Sequence, residues 1–332
     1  MTTTLHRKFG ALAASAALAA TMALATPALA QDMPEETLSI TTAAKGGSWF
    51  AVAASIFSKV EAANPGLVTQ IQPGGGLTNI DKVQKGQSDI GLTFAFAGPL
   101  AVAGLPPFEE EYDNLTYLTA LFPGHYQIIV RKDAGIEKFE DIFDKRISPG
   151  KVGFGGELMF RQMLAAYDMD YDKMREMGGV VNLLGTGDAA NLMRDGNLDV
   201  ILSGGNPPTH PIFSELALTT DIDVLALPDA DLDKIFAANP AFSEGFMPAN
   251  PYNGVAGEFR NIGGYVVVIA RKDLSDEAAY SFVKSFWEGL DDLKADSRTF
   301  DESDPSIALK GNRGMPVHPG AQKYFDEVGL TN

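Results

Sequence analysis

Three glycine-rich turns carry most of the chemistry this sequence can offer. They are Ala43-Ala44-Lys45-Gly46-Gly47-Ser48-Trp49, Gly74-Gly75-Gly76-Leu77-Thr78-Asn79 and Gly153-Phe154-Gly155-Gly156-Glu157, each placed where a strand pattern gives way to a helix pattern. There, free backbone N–H groups and the positive end of the helix dipole face outward, an arrangement that holds an anion with few cationic side chains. The candidate ligand contacts are Lys45, Gly46, Gly47, Ser48 and Trp49 from the first turn, Gly76, Thr78 and Asn79 from the second, and Phe154, Gly155 and Gly156 from the third. Thr93 and Phe94 at a strand end, Tyr126 at a strand start, and Gly205 and Asn206 in the exit Ser203-Gly204-Gly205-Asn206-Pro207-Pro208 complete the set. Lys45 reads either as the partner of a ligand carboxylate or as a solvated loop lysine. Trp49, Phe94 and Phe154 read as cleft aromatics, while Phe50 and Phe96 read as core. A carboxylate with a modest apolar body fits Lys45 beside Trp49.

Catalytic and metal chemistry have less support. Beyond the first thirty residues histidine occurs only at positions 125, 210 and 318, with no H-x₃-H or H-E-x-x-H spacing. There is no G-x-S-x-G elbow. The absence of cysteine removes thiolate ligands, cysteine nucleophiles and disulfides together. Carboxylate runs such as Glu109-Glu110-Glu111, Asp291-Asp292 and Asp301-Glu302 lie in polar surroundings and read as solvated surface. His318, between two prolines, reads as a structural residue of the carboxy-terminal turn, and His125 as a hinge or ligand candidate. No cofactor and no metal is expected. A periplasmic hydrolase or isomerase remains the enzyme alternative.

The elements that must position these turns follow from periodicity. Residues 38–42 read as a strand, 49–62 as a helix, 67–71 as a strand, 77–85 as a helix and 88–93 as a strand. The same grammar recurs as strand 146–153, helix 158–167, strand 180–184, helix 187–194 and strand 199–203. Strand, helix, strand at this spacing is the crossover unit of a parallel sheet, so two copies imply two α/β lobes. Two further apolar runs, 125–133 and 264–273, both end in Arg-Lys-Asp and read as strands beginning where the chain crosses between lobes, or as ordinary core strands. On the crossing reading, residues 31–122 plus 271–332, including a helix over 277–290, form lobe 1 and residues 123–270 form lobe 2. Two crossings make a hinged clamshell whose cleft is the default ligand site.

Composition bounds the partners. Residues 1–30 read as a cleaved export signal: a basic start at Arg7-Lys8, an alanine-rich apolar run over 11–25, and Ala28-Leu29-Ala30 as the cleavage pattern. That run is shorter than the ~20 apolar residues a membrane span needs. The whole chain carries −17. Two of its 26 basic residues and none of its 43 acidic ones lie in the signal, so the remainder carries −19. Such a balance argues against nucleic acid and anionic membrane surfaces as partners. An exported chain without disulfides must rely on a buried core, and this length is ample for one.

Read in order, the motifs resemble those of the solute-binding subunit of TRAP transporters of the TAXI type (TRAP-associated extracytoplasmic immunogenic proteins). Gly75-Gly76-Leu77-Thr78-Asn79-Ile80 and Gly86-Gln87-Ser88-Asp89-Ile90 resemble the family's glycine turn and its G-x-x-D-I/L strand entry. Gly153-Phe154-Gly155-Gly156-Glu157 is similar to its G-S-G-T-E turn, and Gly204-Gly205-Asn206-Pro207-Pro208 to its G-G-x-P segment. Met315-Pro316-Val317-His318-Pro319-Gly320-Ala321 with Tyr324 resembles its carboxy-terminal P-x-H-P-G-A-x-x-Y signature. The resemblance implies a type II periplasmic binding-protein fold. It also implies a periplasmic receptor that captures a small organic anion, such as glutamate or 2-oxoglutarate, and delivers it to an ion-gradient-driven TRAP permease. A receptor for an ATP-driven importer or a sensor kinase would share that fold.

Overall fold

Two long strands, running through the middle of a single sheet, set the architecture. The computed structural model describes residues 36–45, 47–206, 210–238, 242–248, 252 and 258–330. The expected export signal and Gly46 lie outside that set. The chain opens with β1 (Glu36–Thr41), α1 (Ser48–Ala63), β2 (Leu67–Gln72), α2 (Gly76–Gln84), β3 (Ile90–Phe94) and α3 (Ala97–Val102), and reaches the first long strand, β4 (Leu115–Arg131). There follow β5 (Arg146–Ser148), α4 (Gly155–Ala165), α5 (Tyr171–Glu176), β6 (Val180–Val181), α6 (Thr186–Arg194), β7 (Val200–Asn206) and α7 (Pro211–Leu216). Then come β8 (Ile222–Val224), α8 (Asp229–Ala238), β9 (Ser243–Met247) and the second long strand, β10 (Phe259–Arg271), before α9 (Asp276–Glu288), α10 (Leu290–Asp296) and α11 (Pro319–Glu327).

The sheet order is β2-β1-β3-β10-β4-β7-β5-β6, with β8 beside β4 and β9 beside β10. β1 runs parallel to β2 and β3, and β5 runs parallel to β6 and β7. These two parallel sets flank the antiparallel pair of β4 and β10. Residues 115–122 of β4 pair with the second part of β10, whereas residues 125–130 pair with β7, so one strand serves both halves of the sheet. Each parallel set has its own crossover helices, as the two sequence copies imply.

Local sequence explains the helix bounds. In α1 the buried Trp49, Val52, Ala53, Ile56, Phe57 and Val60 recur at helical spacing and form one apolar stripe. Burying such a side chain is worth roughly 1.5–3 kcal/mol, so the stripe holds the helix to the sheet. Asn64 then closes the last turn through its Nδ2 bond to Val60 O (2.7 Å), and Gly66 turns back at φ 101°. The strand expected over 146–153 is shorter, ending at Ser148, because Pro149 has no N–H for the ladder and Gly150 adopts φ 106°. β4 starts ten residues before the expected 125. Residues 115–122 are buried on both faces and so show no alternation to read.

Candidate functional site

Between the two parallel sets lies a cavity of about 420 Å³, a volume in the range that holds a small organic molecule. Its walls are built where strands end and helices begin. One side comprises Ala43, Ala44, Lys45, Gly47, Ser48 and Trp49 before and at the start of α1, Gly75 and Gly76 at α2, and Phe94 at the end of β3. The other comprises Pro149, Gly150 and Lys151, Phe154, Gly155 and Gly156 at α4, Gly185, Thr186, Gly187 and Asp188 at α6, Leu202, Ser203 and Gly204 of β7, and His210 and Ile212 at α7.

Four helices, α1, α2, α4 and α6, point their amino termini at this space. Their N-cap residues are Gly47, Gly75, Phe154 and Gly185, and none supplies a side-chain cap. α7, which also begins on this wall, is capped by the His210 side chain, and away from the cavity α5, α9 and α11 are capped by Asp170, Ser275 and His318. α3 and α10, also without a side-chain cap, continue from residues at φ/ψ near −78°/−22° and −89°/7° rather than from an extended N-cap. The first turn of an α-helix lacks intrahelical acceptors for its N–H groups. Convergent first turns therefore bring N–H donors and a partial positive charge to one place, suited to an anion, with Leu77 N–H of α2 already donating to Gly153 O. Lys45 and Lys151 stand exposed on the rim, with exposed Asp188 as the opposing charge.

The apolar part of the wall is aromatic. Phe94 packs against Trp49 at 4.9 Å and against Phe96 at 5.5 Å between ring centroids. Phe154 lies over Gly75, where a Cβ would come within 2.7 Å of its ring. The backbone is tied across the same place by Leu77 N–H donating to Gly153 O (3.2 Å).

Lys45, Gly47, Ser48, Trp49, Gly76, Phe94, Phe154, Gly155 and Gly156, all expected from the sequence, are brought together on this wall. Thr78, Asn79, Thr93 and Tyr126 are not; they hold the glycine turns from behind. Thr78 Oγ1 donates to Gly75 O (2.8 Å), Thr93 Oγ1 to Gly76 O (3.0 Å), and the buried Tyr126 Oη to Gly156 O (3.4 Å). Asn79 is buried, with Oδ1 accepting from Thr41 Oγ1 (2.9 Å) and Gly75 N–H (3.0 Å), and Nδ2 donating to Thr42 O (2.6 Å) and Leu92 O (2.7 Å). That uses the amide's oxygen twice and both its N–H groups, leaving no donor for a ligand. Gly205 and Asn206 end β7, where Asn206 pairs with His125 in the ladder.

Sequence reasoning missed Lys151, the turn Gly185-Thr186-Gly187-Asp188, and His210. The turn repeats the strand-exit pattern of the other three and was legible on that ground; His210 had no such signal. His125 Nε2 faces Glu302 Oε2 at 3.2 Å, away from the cavity wall. His318 is structural, as expected: Nδ1 caps α11 by accepting from Gly320 N–H (3.2 Å), and the other ring nitrogen lies 3.0 Å from Leu274 O. Among the described residues there is no cluster of three metal-ligating side chains, and no helix is long and apolar enough to cross a membrane.

Two solved structures align over almost the whole chain. The periplasmic binding protein BugD shares 16% identity over 90% of this chain and 95% of its own, with a TM-score of 0.54. MatC from Rhodopseudomonas palustris, solved with bound malate, shares 14% over 90% and 98%, also at 0.54. At these identities the likeness establishes the fold, the two-lobed α/β fold of periplasmic binding proteins. A sequence model of the NMT1-like family matches residues 40–329, and the chain therefore belongs to the NMT1-like family.

Proposed function

We propose that this protein is an extracytoplasmic solute receptor that holds a small organic anion in the cavity and delivers it to a membrane permease. The observation that carries this reading is the convergence of four helix starts without side-chain caps on one space bounded by aromatic rings. Helix starts are worth roughly 0.3–1 kcal/mol each to an exposed anion and more to an enclosed one. The Trp49, Phe94 and Phe154 wall suits a carboxylate with a modest apolar body. MatC, of the same fold, holds malate, an organic acid. The protein is periplasmic in this reading, with residues 1–30 removed on export, residues 31–122 plus 271–332 forming one lobe and 123–270 the other, the two closing over the ligand. The motif set running to His318 and Tyr324 favours a TRAP permease of the TAXI type over an ATP-driven importer.

Thermal shift against small carboxylic acids and their neutral amides tests the anion. Acids should stabilise the protein by ~2.7 kcal/mol at 100 times their dissociation constant, amides should not, and mass spectrometry should find the acid unchanged. Equal stabilisation by acid and amide would overturn the anion reading. Uptake into proteoliposomes carrying the permease should follow a sodium or proton gradient without ATP.

A further inference from the structure

His210 lies on the cavity wall at the start of α7 and is 4 % exposed. Its Nδ1 accepts a hydrogen bond from Ile212 N–H (3.2 Å), so the neutral ring carries its proton on Nε2. The ring packs on the buried Phe213 at 4.8 Å between centroids. Its backbone N–H donates to Tyr252 Oη (2.8 Å), and that hydroxyl donates to Gln127 Oε1 (2.6 Å) on β4. One ring edge, one ring face and the peptide are thus fixed, and among the described residues Nε2–H is the polar group of His210 with no protein acceptor.

We propose that His210 is a specificity residue of this cavity, donating Nε2–H as a neutral imidazole to one oxygen of the bound organic anion. The inference rests on the anion-receptor reading and adds to it a directional contact that the four helix starts do not supply. Burial lowers His210 to about 4, so the ring is uncharged across the neutral range. The charged groups of the facing turns are Lys45, Lys151 and Asp188. The two lysines and the helix starts oppose a further positive charge at this wall, and Asp188 alone favours one. A neutral donor therefore adds direction without adding charge. A ligand lacking the matching oxygen would leave the enclosed N–H unpaired, which is how hydrogen-bonding sites reject close analogues.

The test is titration calorimetry with four probes: L-glutamate, 2-oxoglutarate, phenylacetate and benzoate. The tightest binder is carried forward at pH 6, 7 and 8 in two buffers of different ionisation enthalpy. Asparagine places its amide near Nδ1 and is a good N-cap, so His210→Asn keeps the Ile212 bond and the fold while losing the donor at Nε2. Glutamine places its amide near Nε2. We expect His210→Asn to bind about ten- to hundredfold more weakly, the span for a hydrogen bond to a charged group, and His210→Gln to recover part of that loss. Wild-type affinity should be flat over pH 6–8 with no net proton uptake. His210→Asn binding like wild type would overturn the proposal while leaving the anion reading intact. Uptake of one proton on binding, with affinity lost on raising the pH, would replace the neutral donor by an imidazolium. If the wild-type protein binds none of the four acids, the proposal and the reading beneath it both fail.

Discussion

Phe94 occupies the space that a side chain on Gly155 would need: a Cβ there would lie 1.5 Å from Phe94 Cε2. The relationship is reciprocated, because Phe154, just before α4, rests on Gly75, just before α2. Each half of the sheet thus sends an aromatic ring onto the helix-opening glycine of the other half.

Gly155→Ala should therefore be costly. The ring cannot retreat freely, since Trp49 and Phe96 flank it. Overpacking of this kind costs on the order of 1–3 kcal/mol. Gly187→Ala is the control, because a Cβ at Gly187 meets nothing within 4 Å and alanine favours the helix by up to about 1 kcal/mol. Urea denaturation should place Gly155→Ala below wild type and Gly187→Ala at or above it. Equal stability of the two variants would mean that Phe94 does not depend on Gly155.

Asn79 should behave as a structural clamp and not as a ligand contact. Asn79→Ala strands Gly75 N–H, the Thr41 hydroxyl and two carbonyls in a buried place. With about 1–3 kcal/mol for each of these four buried groups left unsatisfied, the loss should be at least about 4 kcal/mol. Asn79→Asp should be equally damaging, since it sets a carboxylate oxygen against the carbonyls of Thr42 and Leu92. Melting temperatures of the two variants check this; a stable Asn79→Ala with weakened ligand binding alone would contradict it.

That case shows where the sequence stopped being informative. Glycine turns between a strand and a helix have a local signature, so most of the cavity wall was legible, as were the two α/β copies. A polar residue inside such a turn faces either the ligand or the backbone behind it. For Asn79 the choice is made by Thr41 and Leu92, whose proximity follows from sheet pairing and not from adjacency. His210 was illegible for a similar reason, since Tyr252 and Gln127, which hold it, are distant in sequence. The first half of β4 was hidden differently: both of its faces are buried, and continuous apolar sequence carries no period.

Stability should fall on mild acidification through buried histidines. Burial holds His210 down to about 4 and also lowers His318, against an ordinary value near 6.5. The folded protein then binds fewer protons than the unfolded chain, so this contribution is fully present above about pH 6.5 and is lost as the pH falls through the folded values. For His210 the span corresponds to about 3 kcal/mol. Urea titrations at pH 7, 6 and 5 should show wild type losing stability more steeply than His210→Asn, which keeps the α7 cap. Parallel pH profiles for the two proteins would remove His210 from the account.

The rim charges should tune affinity without creating it. Lys45 and Lys151 are exposed, and exposed pairs are worth about 0–1 kcal/mol and weaken with salt. Lys45→Gln and Lys151→Gln should each weaken binding of a carboxylic acid by roughly two- to fivefold at low ionic strength, and Asp188→Asn should strengthen it by a similar factor. At 0.15 M salt, where the screening length is about 8 Å, these differences should shrink. The double lysine variant should still bind, because the helix starts belong to the backbone and survive side-chain replacement. Calorimetry at two salt concentrations decides the matter. Abolished binding in the double variant would show that lysine side chains, and not the convergent helix starts, hold the anion in a protein whose net charge of −17 otherwise repels it.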